Sequence, residues 1–103
     1  MTDILLTERE TDEGLLVAAC DADVVGETFE NGSVSLTVEP EFYDSEATER
    51  GVSAERVSES LAACSTANLV GSRTVGLAVE RGFVDEATVL ELDGTRHAQL
   101  VWL

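Results

Sequence analysis

The stretch from Ser53 to Phe83 constrains the fold more than any other part of this chain, because it is the longest run with helical periodicity. Val57, Leu61 and Cys64 recur at a spacing that places them on one face of a helix. Asn68 falls on the same face about one turn later and is the first polar residue of that stripe. The segments on either side are typical of short strands and turns, so the chain is expected to fold around this helical stretch.

The same stretch is predicted to contain two helices. Ser53 is suited to cap the first helix, which is expected to end within residues 68–70. Gly71 interrupts it, and Ser72 is expected to cap a second helix that runs to Arg81. A glycine follows directly, as is common at helix C-termini. Two helices joined so closely are expected to pack as a corner.

Strand signals surround the helical stretch. Residues 4–10 and 15–20 are separated by a polar turn that ends in glycine, which predicts a β-hairpin. Asp21 is expected to cap a single helical turn directly after this hairpin. Residues 34–38 alternate between apolar and polar side chains, which predicts a strand with one buried face, and Pro40 ends it.

The dipeptide Asp93-Gly94 predicts a second hairpin, formed by the last two strands of the chain. A two-residue turn at this dipeptide fixes the register of the two strands. It places Glu91 opposite Arg96 as a cross-strand ion pair, and Leu90 opposite His97.

A length of 103 residues gives room for one domain, 1–103, with a modest hydrophobic core. The predicted elements follow the order β-β-β-α-α-β-β and form an α+β fold. Its antiparallel or mixed sheet is expected to have about five strands, with a central helix pair. A hydrophobic content of 44% is ordinary for a globular protein, so the charge of the chain does not indicate disorder.

Acidic residues dominate the charge of the chain. There are 21 acidic residues against six basic ones, which are all arginines, and the formal net charge is −15. Such an excess usually repels nucleic acid and destabilises the compact state. In molar salt the Debye length falls to about 3 Å, which removes most of this repulsion. The composition therefore predicts adaptation to a salt-rich cytoplasm, with a site for a cation or a basic partner as the alternative.

Several classes of protein are excluded by the sequence. No stretch approaches the roughly 18 apolar residues of a membrane span, and the N-terminus lacks the features of a signal peptide. A cytoplasmic location without a membrane partner is therefore expected, in which Cys20 and Cys64 are buried free thiols, with a disulfide or a metal pair as the alternative. Neither a metal nor a cofactor is predicted, because the chain has a single histidine, His97, and no dinucleotide fingerprint.

The candidate binding residues are Asn68, Gly71, Ser72, Arg73, Arg96 and His97. A Gly-Ser step at a helix start offers free N–H groups to an anion, and Arg73 would add a bidentate grip on a phosphate. Asn68 either points into a ligand groove or bonds to its own surroundings. His97 is a binding contact, an acid or base, or a partly buried hydrogen-bonding residue. An ordinary structural role is the alternative at the helix junction as well.

Three runs of the sequence carry a family resemblance: LLVAACDADVVGETFENGSVSLTVEPEFY, CSTANLVGSRTVGLAVERGFVDEATVLELDG and RHAQLVWL. Their most specific pieces are Ala19-Cys20-Asp21, residues 26–32, residues 67–71 and His97-Ala98. Over nearly the whole chain they resemble an archaeal family of unknown function, domain-of-unknown-function family 424. The resemblance implies an uncharacterised archaeal stand-alone domain with an α+β fold in the cytosol. The absence of lysine then fits a halophilic archaeon.

Three hypotheses remain for the function. The first is a non-catalytic binding module that contacts RNA or a ribonucleoprotein/translation partner through the six candidate residues, by analogy with other small archaeal domains. The second is a protein–protein adaptor or homodimer that uses the edge of the C-terminal hairpin, with Trp102 and Leu103 as apolar anchors. The third is a small-molecule enzyme with His97 as acid or base, which the absence of known catalytic motifs disfavours.

Overall fold

A six-stranded mixed sheet forms the centre of the computed structural model, which describes residues 3–102. A separate two-stranded sheet and the helices pack against it. In chain order the elements are β1 (Ile4–Thr11), β2 (Gly14–Asp21), a 3-10 turn (Ala22–Val24), β3 (Thr28–Asn31), β4 (Val34–Thr37), α1 (Pro40–Tyr43), β5 (Glu49–Arg50), α2 (Ala54–Ala63), β6 (Thr66–Val70), α3 (Ser72–Glu80), a 3-10 turn (Glu86–Thr88), β7 (Leu90–Leu92) and β8 (Thr95–Val101). The predicted α+β class is confirmed.

The strand order in the large sheet is β5-β1-β2-β6-β8-β7. Strands β2 and β6 run parallel, and all other neighbours in this sheet are antiparallel. The carboxyl ends of β2 and β6 therefore lie side by side at one edge of the sheet, and the chain leaves β6 directly into α3. That edge positions the candidate site.

The two faces of the sheet are covered differently. Helices α2 and α3 cover one face, called the helix face, over a core that includes Leu6, Val17, Leu61, Leu69 and Val75. The β3–β4 hairpin and the short helix α1 cover part of the other face, called the hairpin face, over Leu5, Cys20, Val38, Tyr43 and Val70. Burial of this apolar surface on both faces is the main stabilising contribution to the fold.

Residues 66–70 form a strand, so the prediction of a helix through this segment is wrong. Val57 and Leu61 are buried as the helical spacing predicted, but α2 ends at Ala63 and Cys64 is already extended. The following segment forms the strand, in which Ala67 and Leu69 face the helices. Periodicity alone does not separate such a short buried strand from the end of a helix, and no glycine or proline marks the boundary.

Two of the predicted caps and turns around the helices are confirmed. The Ser53 hydroxyl accepts the backbone N–H of Arg56 at 3.1 Å, as expected for the cap of α2. The C-terminus of α3 closes when the N–H of Phe83 donates to the Ala78 carbonyl at 2.9 Å, with Gly82 at a φ of 81°. The N-terminus of α3 differs from the prediction, because Gly71 stands at the cap position and Ser72 is the first helical residue.

Both hairpins of the large sheet have the predicted pairing. The N-terminal hairpin pairs β1 with β2 along their full lengths. In the C-terminal hairpin Glu91 lies opposite Arg96, with a side-chain distance of 2.9 Å, and Leu90 lies opposite His97. The prediction of a half-buried strand over 34–38 is only partly right, because β4 belongs to the peripheral hairpin and Val34 is 45% exposed. Cys20 and Cys64 are buried free thiols, as predicted.

Candidate functional site

The candidate site lies where the carboxyl ends of β2 and β6 meet the start of α3. In α/β sheets this is the edge at which ligands commonly bind, because the helix that follows a strand begins there. Gly71, Ser72 and Arg73 make the connection between β6 and α3, and they are referred to below as the β6–α3 corner. All three are among the residues that the sequence indicated.

Asp21 caps α3 from the neighbouring strand. Its Oδ2 accepts the backbone N–H of Arg73 at 3.0 Å, and its Oδ1 accepts the N–H and the hydroxyl of Thr74 at 2.8 and 2.7 Å. A carboxylate at this position is also favoured by the helix dipole. Asp21 makes no side-chain cap bond to the turn that follows it, so its predicted local role is wrong. The prediction of free N–H groups for an external anion is wrong at Arg73 and Thr74, because the Asp21 carboxylate already binds them.

Gly71 has a structural role in this arrangement. Its φ is 115°, a conformation that side chains rarely adopt, and its N–H donates to the Arg96 carbonyl at 2.9 Å. A Cβ atom at Gly71 would lie only 2.7 Å from both carboxylate oxygens of Asp21, where real Cβ atoms are not found. Glycine therefore allows the close approach of the two strand ends that brings Asp21 under α3.

Arg73 is the arginine whose guanidinium has no ion-pair or hydrogen-bond partner within residues 3–102. Its side chain is exposed. The other five guanidinium groups are held by protein oxygens, those of Asp44 (Arg50), Glu8, Glu49 and Glu59 (Arg56), Glu55 (Arg81), Glu86 and Glu91 (Arg96), and the Glu41 and Phe42 carbonyls (Arg9). In a chain with 21 acidic residues, an unpaired arginine is available to a ligand.

Two clefts meet at Ser72 and Arg73. The first, called the helix cleft, has a volume of about 360 Å³ and lies on the helix face; its lining residues are Ile4, Val52, Ala54, Ser72, Arg73, Gly76, Leu77 and Glu80. The second, called the turn cleft, has a volume of about 350 Å³, and its lining residues are Asp21, Asp23, Val24, Ser72, Arg73, Gly94 and Thr95. Four of the eight residues that line the helix cleft have apolar side chains, whereas two aspartates border the turn cleft.

Asn68 and His97 share the hairpin face, away from the β6–α3 corner. Asn68 lies on β6 opposite Gln99, whose Nε2 donates to the Asn68 Oδ1 at 2.9 Å. His97 lies two residues from Gln99 and therefore on the same face. Its Nδ1 is 2.9 Å from the Leu69 carbonyl, which can only accept, so this nitrogen carries the hydrogen. Both side chains are half-buried and bonded within the sheet.

Arg96 points to the opposite face from His97, because neighbouring residues of a strand alternate. Its guanidinium contacts Glu86 at 2.7 Å and Glu91 at 2.9 Å, and these hydrogen bonds raise the pKa of Arg96. The structure thus distributes the six sequence-predicted residues over three places. Gly71, Ser72 and Arg73 lie together, Asn68 and His97 share the hairpin face, and Arg96 is ion-paired near the start of β8.

Sequence reasoning missed three residues that line the helix cleft on α3. Gly76, Leu77 and Glu80 follow Arg73 at helical spacing, so the four residues form one stripe along α3. The same spacing in the sequence would have indicated this stripe once the start of the helix was known. The contact of Asp21 with α3 was missed for a different reason, because it joins residues that are more than 50 positions apart.

Neither a metal site nor a membrane span emerges from the described part of the chain. Within residues 3–102 no group of three His, Cys, Asp or Glu side chains is placed to hold a metal ion. None of the helices in that range has the length and apolar character needed to cross a bilayer.

Comparisons with known proteins agree with this fold and with the predicted family. The structure is similar to one described as "Crystal structure of an uncharacterized conserved protein from Methanopyrus kandleri", with a TM-score of 0.73 and 22% sequence identity. The similarity covers 98% of this chain and 95% of the other, and at this identity it shows the fold alone. No curated protein matches the chain. A family model described as "Protein of unknown function (DUF424)" matches residues 8–103. Since that match spans nearly the whole sequence, the chain belongs to the DUF424 family.

Proposed function

We propose that this protein is a non-catalytic module that binds RNA through the β6–α3 corner. The observation that carries the proposal is the guanidinium of Arg73, which is exposed and has no partner within residues 3–102. Arginine binds phosphate oxygens through two parallel N–H donors, and this geometry suits the backbone of RNA. Ser72 is exposed beside it and adds a hydroxyl donor.

The corner is a better phosphate contact on its helix-cleft side than on its turn-cleft side. Asp21 and Asp23 border the turn cleft, where their carboxylates disfavour an anion. The helix cleft has one carboxylate, that of Glu80, which lies seven residues along α3 from Arg73, and it includes Ala54, the first residue of α2, where a helix dipole favours an anion. Arg73 lines both clefts, and a phosphate bound to it is better placed in the helix cleft, away from the two aspartates.

The acidic surface is compatible with RNA binding only at high ionic strength. With a net charge of −15 the protein repels RNA in dilute buffer. In molar salt the Debye length of about 3 Å leaves short-range contacts intact and removes the long-range repulsion. The proposal therefore includes a salt-rich archaeal cytoplasm, which the family resemblance and the composition suggest, and a partner from translation or ribonucleoprotein assembly, by analogy with other small archaeal domains.

The proposed RNA contact includes only three of the six candidate residues. Ser72 and Arg73 supply the donors, and Gly71 shapes the backbone below them. Arg96 is already engaged by two glutamates, whereas Asn68 and His97 lie on the other face of the sheet. We therefore expect these last three residues to contribute little to RNA binding.

The test is the affinity of the protein for short single-stranded RNA of mixed sequence in molar potassium chloride, measured by fluorescence anisotropy. Loss of a charge-assisted contact of about 1.5–3 kcal/mol corresponds to roughly a 10- to 150-fold weaker affinity for Arg73→Ala. Arg50→Ala is the matched control, because Arg50 lies opposite Leu5 of the hairpin face and its side chain, which is 61% exposed, is ion-paired with Asp44. The proposal fails if the wild type does not bind, or if both variants bind equally well.

A second candidate function, a homodimer or adaptor, is favoured by the outer edge of β8. The backbone N–H of Trp102 donates to the Ser65 carbonyl, and the carbonyl of Arg96 accepts the N–H of Gly71. The backbone N–H and C=O groups of the even-numbered residues of β8 therefore point toward β6. The backbone groups of the odd-numbered residues point away from β6, toward the side on which β7 lies. Strand β7 pairs only with residues 95–97. The backbone groups of Gln99 and Val101 are thus left without a strand partner within residues 3–102.

Two exposed apolar side chains lie at the same edge. Val101 is 56% exposed and Trp102 is 50% exposed, although the Trp102 Nε1–H donates to the Leu61 carbonyl at 3.0 Å. Leu103, the other anchor predicted from the sequence, lies outside the described residues. Sedimentation equilibrium in molar salt tests this function: a dimer that dissociates in Val101→Lys supports it, and a wild-type monomer without a co-purifying protein removes it.

A further inference from the structure

The stripe of α3 residues that lines the helix cleft has opposite charges at its two ends. Arg73, Gly76, Leu77 and Glu80 follow each other at i, i+3, i+4 and i+7, while the other side of the helix is buried in the core. Seven residues of helix span about 10 Å, so Arg73 and Glu80 lie roughly that far apart along the axis. The cleft therefore offers a cation at one end, an acceptor at the other and an apolar middle.

Gly76 leaves the floor of the cleft open. It lies inside α3, where glycine is unfavourable, and its φ is outside the left-handed region. A Cβ atom built at this position meets nothing within 4 Å among residues 3–102, so no contact in that range requires a glycine here. The consequence is a flat stretch of helix backbone that a planar group can cover.

The opposite wall of the cleft is apolar. Ile4 and Val52 come from the start of β1 and the connection after β5, and Ala54 comes from the first turn of α2. A planar group over Gly76 would thus lie between aliphatic side chains on two sides, with Leu77 completing the floor. Ligand pockets commonly combine such apolar walls with a few polar groups that set the orientation.

We infer that the helix cleft binds a single nucleotide of RNA, with its phosphate at Arg73, its base over Gly76 and the donor edge of the base at Glu80. This inference rests on the proposed function, and it assigns a ligand class to the same corner. A nucleotide carries its charge and polarity in the order that the cleft requires: an anion, a planar ring with apolar faces, and N–H donors at the far edge.

The carboxylate of Glu80 predicts a preference among the bases. A carboxylate only accepts hydrogen bonds, and guanine presents two adjacent N–H donors, at N1 and N2, that match its two oxygens. Uracil presents a single N–H between two carbonyl oxygens, which a carboxylate repels. Glu80 has no ion-pair or hydrogen-bond partner within residues 3–102, so both of its oxygens are available. The cleft is therefore expected to prefer guanine over uracil.

The experiment compares the affinities of guanosine monophosphate and uridine monophosphate for the intact protein in molar potassium chloride, by titration followed with heteronuclear NMR. A bidentate base contact corresponds to roughly tenfold discrimination, so we expect guanosine monophosphate to bind about ten times more tightly. In Glu80→Gln the preference should fall to less than about threefold, since the amide replaces one acceptor by a donor.

Gly76→Leu supplies an independent test, because its side chain enters the open space of the cleft and leaves Arg73 unchanged. Both nucleotides should lose their binding in this variant, while circular dichroism confirms that it folds. If the wild type binds RNA through Arg73 but Gly76→Leu binds nucleotides normally, or if the two nucleotides bind equally, the inference is wrong and the proposed function stands. If the wild type binds neither RNA nor nucleotides, both fail.

Discussion

Replacing Gly71 by alanine is expected to lower the free energy of unfolding by about 4 kcal/mol, and about half of this loss should disappear when Asp21 is also replaced by alanine. The first half comes from the backbone. A φ of 115° with a ψ of 145° is a region in which a residue with a Cβ atom pays about 2 kcal/mol. This part of the cost is the same whatever residue stands at position 21.

The second half of the loss comes from contact with the Asp21 carboxylate. A Cβ atom at Gly71 would approach both carboxylate oxygens to 2.7 Å, although real Cβ contacts essentially never fall below 3.0 Å. Asp21 cannot move away without lengthening its bonds to Arg73 and Thr74, and bonds to a charged acceptor contribute about 1.5–3 kcal/mol each. A partial weakening of these bonds is expected to lower the free energy of unfolding by about 2 kcal/mol. This part of the loss is absent in the Asp21→Ala background, because no carboxylate has to move there.

Urea unfolding in molar salt, followed by circular dichroism, measures this double-mutant cycle. Asp21→Ala alone should cost about 3 kcal/mol, because it leaves the first N–H groups of α3 without their acceptor. The coupling free energy between the two substitutions is expected to be about 2 kcal/mol. Gly82→Ala is the control for the backbone cost, since its φ is also positive and its Cβ would meet nothing within 4 Å in the described part of the chain. If the effects of Gly71→Ala and Asp21→Ala add within about 0.5 kcal/mol, the close-approach argument is refuted.

Three further predictions concern buried ionisable groups and the helix cleft. Burial raises the pKa of Cys20 from 9.0 to about 12 and that of Tyr43 from 10.0 to about 12, with a smaller contribution to Cys20 from the Asp21 charge. The neutral forms of both groups therefore contribute their full stability below about pH 9, and this contribution is lost as the pH rises toward 12. The urea midpoint of unfolding should fall over this range, and it should fall less in Tyr43→Phe. A midpoint that does not change with pH would contradict this prediction. Cys20 and Cys64 are buried, and an aromatic disulfide reagent should label them only as fast as the protein opens, whereas labelling within the mixing time would show that a thiol is accessible. Gly76→Ala should raise the free energy of unfolding by about 1 kcal/mol in urea titrations, because the helix gains a favourable residue in open space, and a loss of stability would show that the glycine is required by the fold.

The parts of the fold that could be predicted from the sequence are those set by short-range signals. The Asp93-Gly94 turn fixed the pairing of Glu91 with Arg96, and a polar turn fixed the N-terminal hairpin. Strand β6 could not be predicted in the same way, because Asn68 falls on the helical stripe of Val57, Leu61 and Cys64 and no glycine or proline separates the strand from α2. Its extended conformation is stabilised by β2 and β8, which are distant in the sequence.

The candidate site, like the fold, could be predicted from the sequence only where short-range signals determine it. The sequence indicated Ser72 and Arg73 through the Gly-Ser step, and the structure places both at an exposed corner between two clefts. The physical reason given for the site was incomplete, because the Asp21 carboxylate takes the N–H groups that were expected to bind an anion. A bond between residues 52 positions apart leaves no local trace in the sequence.

The parallel pairing of β2 with β6 also affects how the chain folds. The two strands are separated in the sequence by residues 22–65, so the chain must close a long loop before β2 and β6 can pair. Loop closure of this length costs entropy that is recovered only when the central strands meet, and such non-local pairing slows folding. The two hairpins of the large sheet close short loops and need no such search. The rate of folding is therefore expected to be set by the arrival of β6 between β2 and β8.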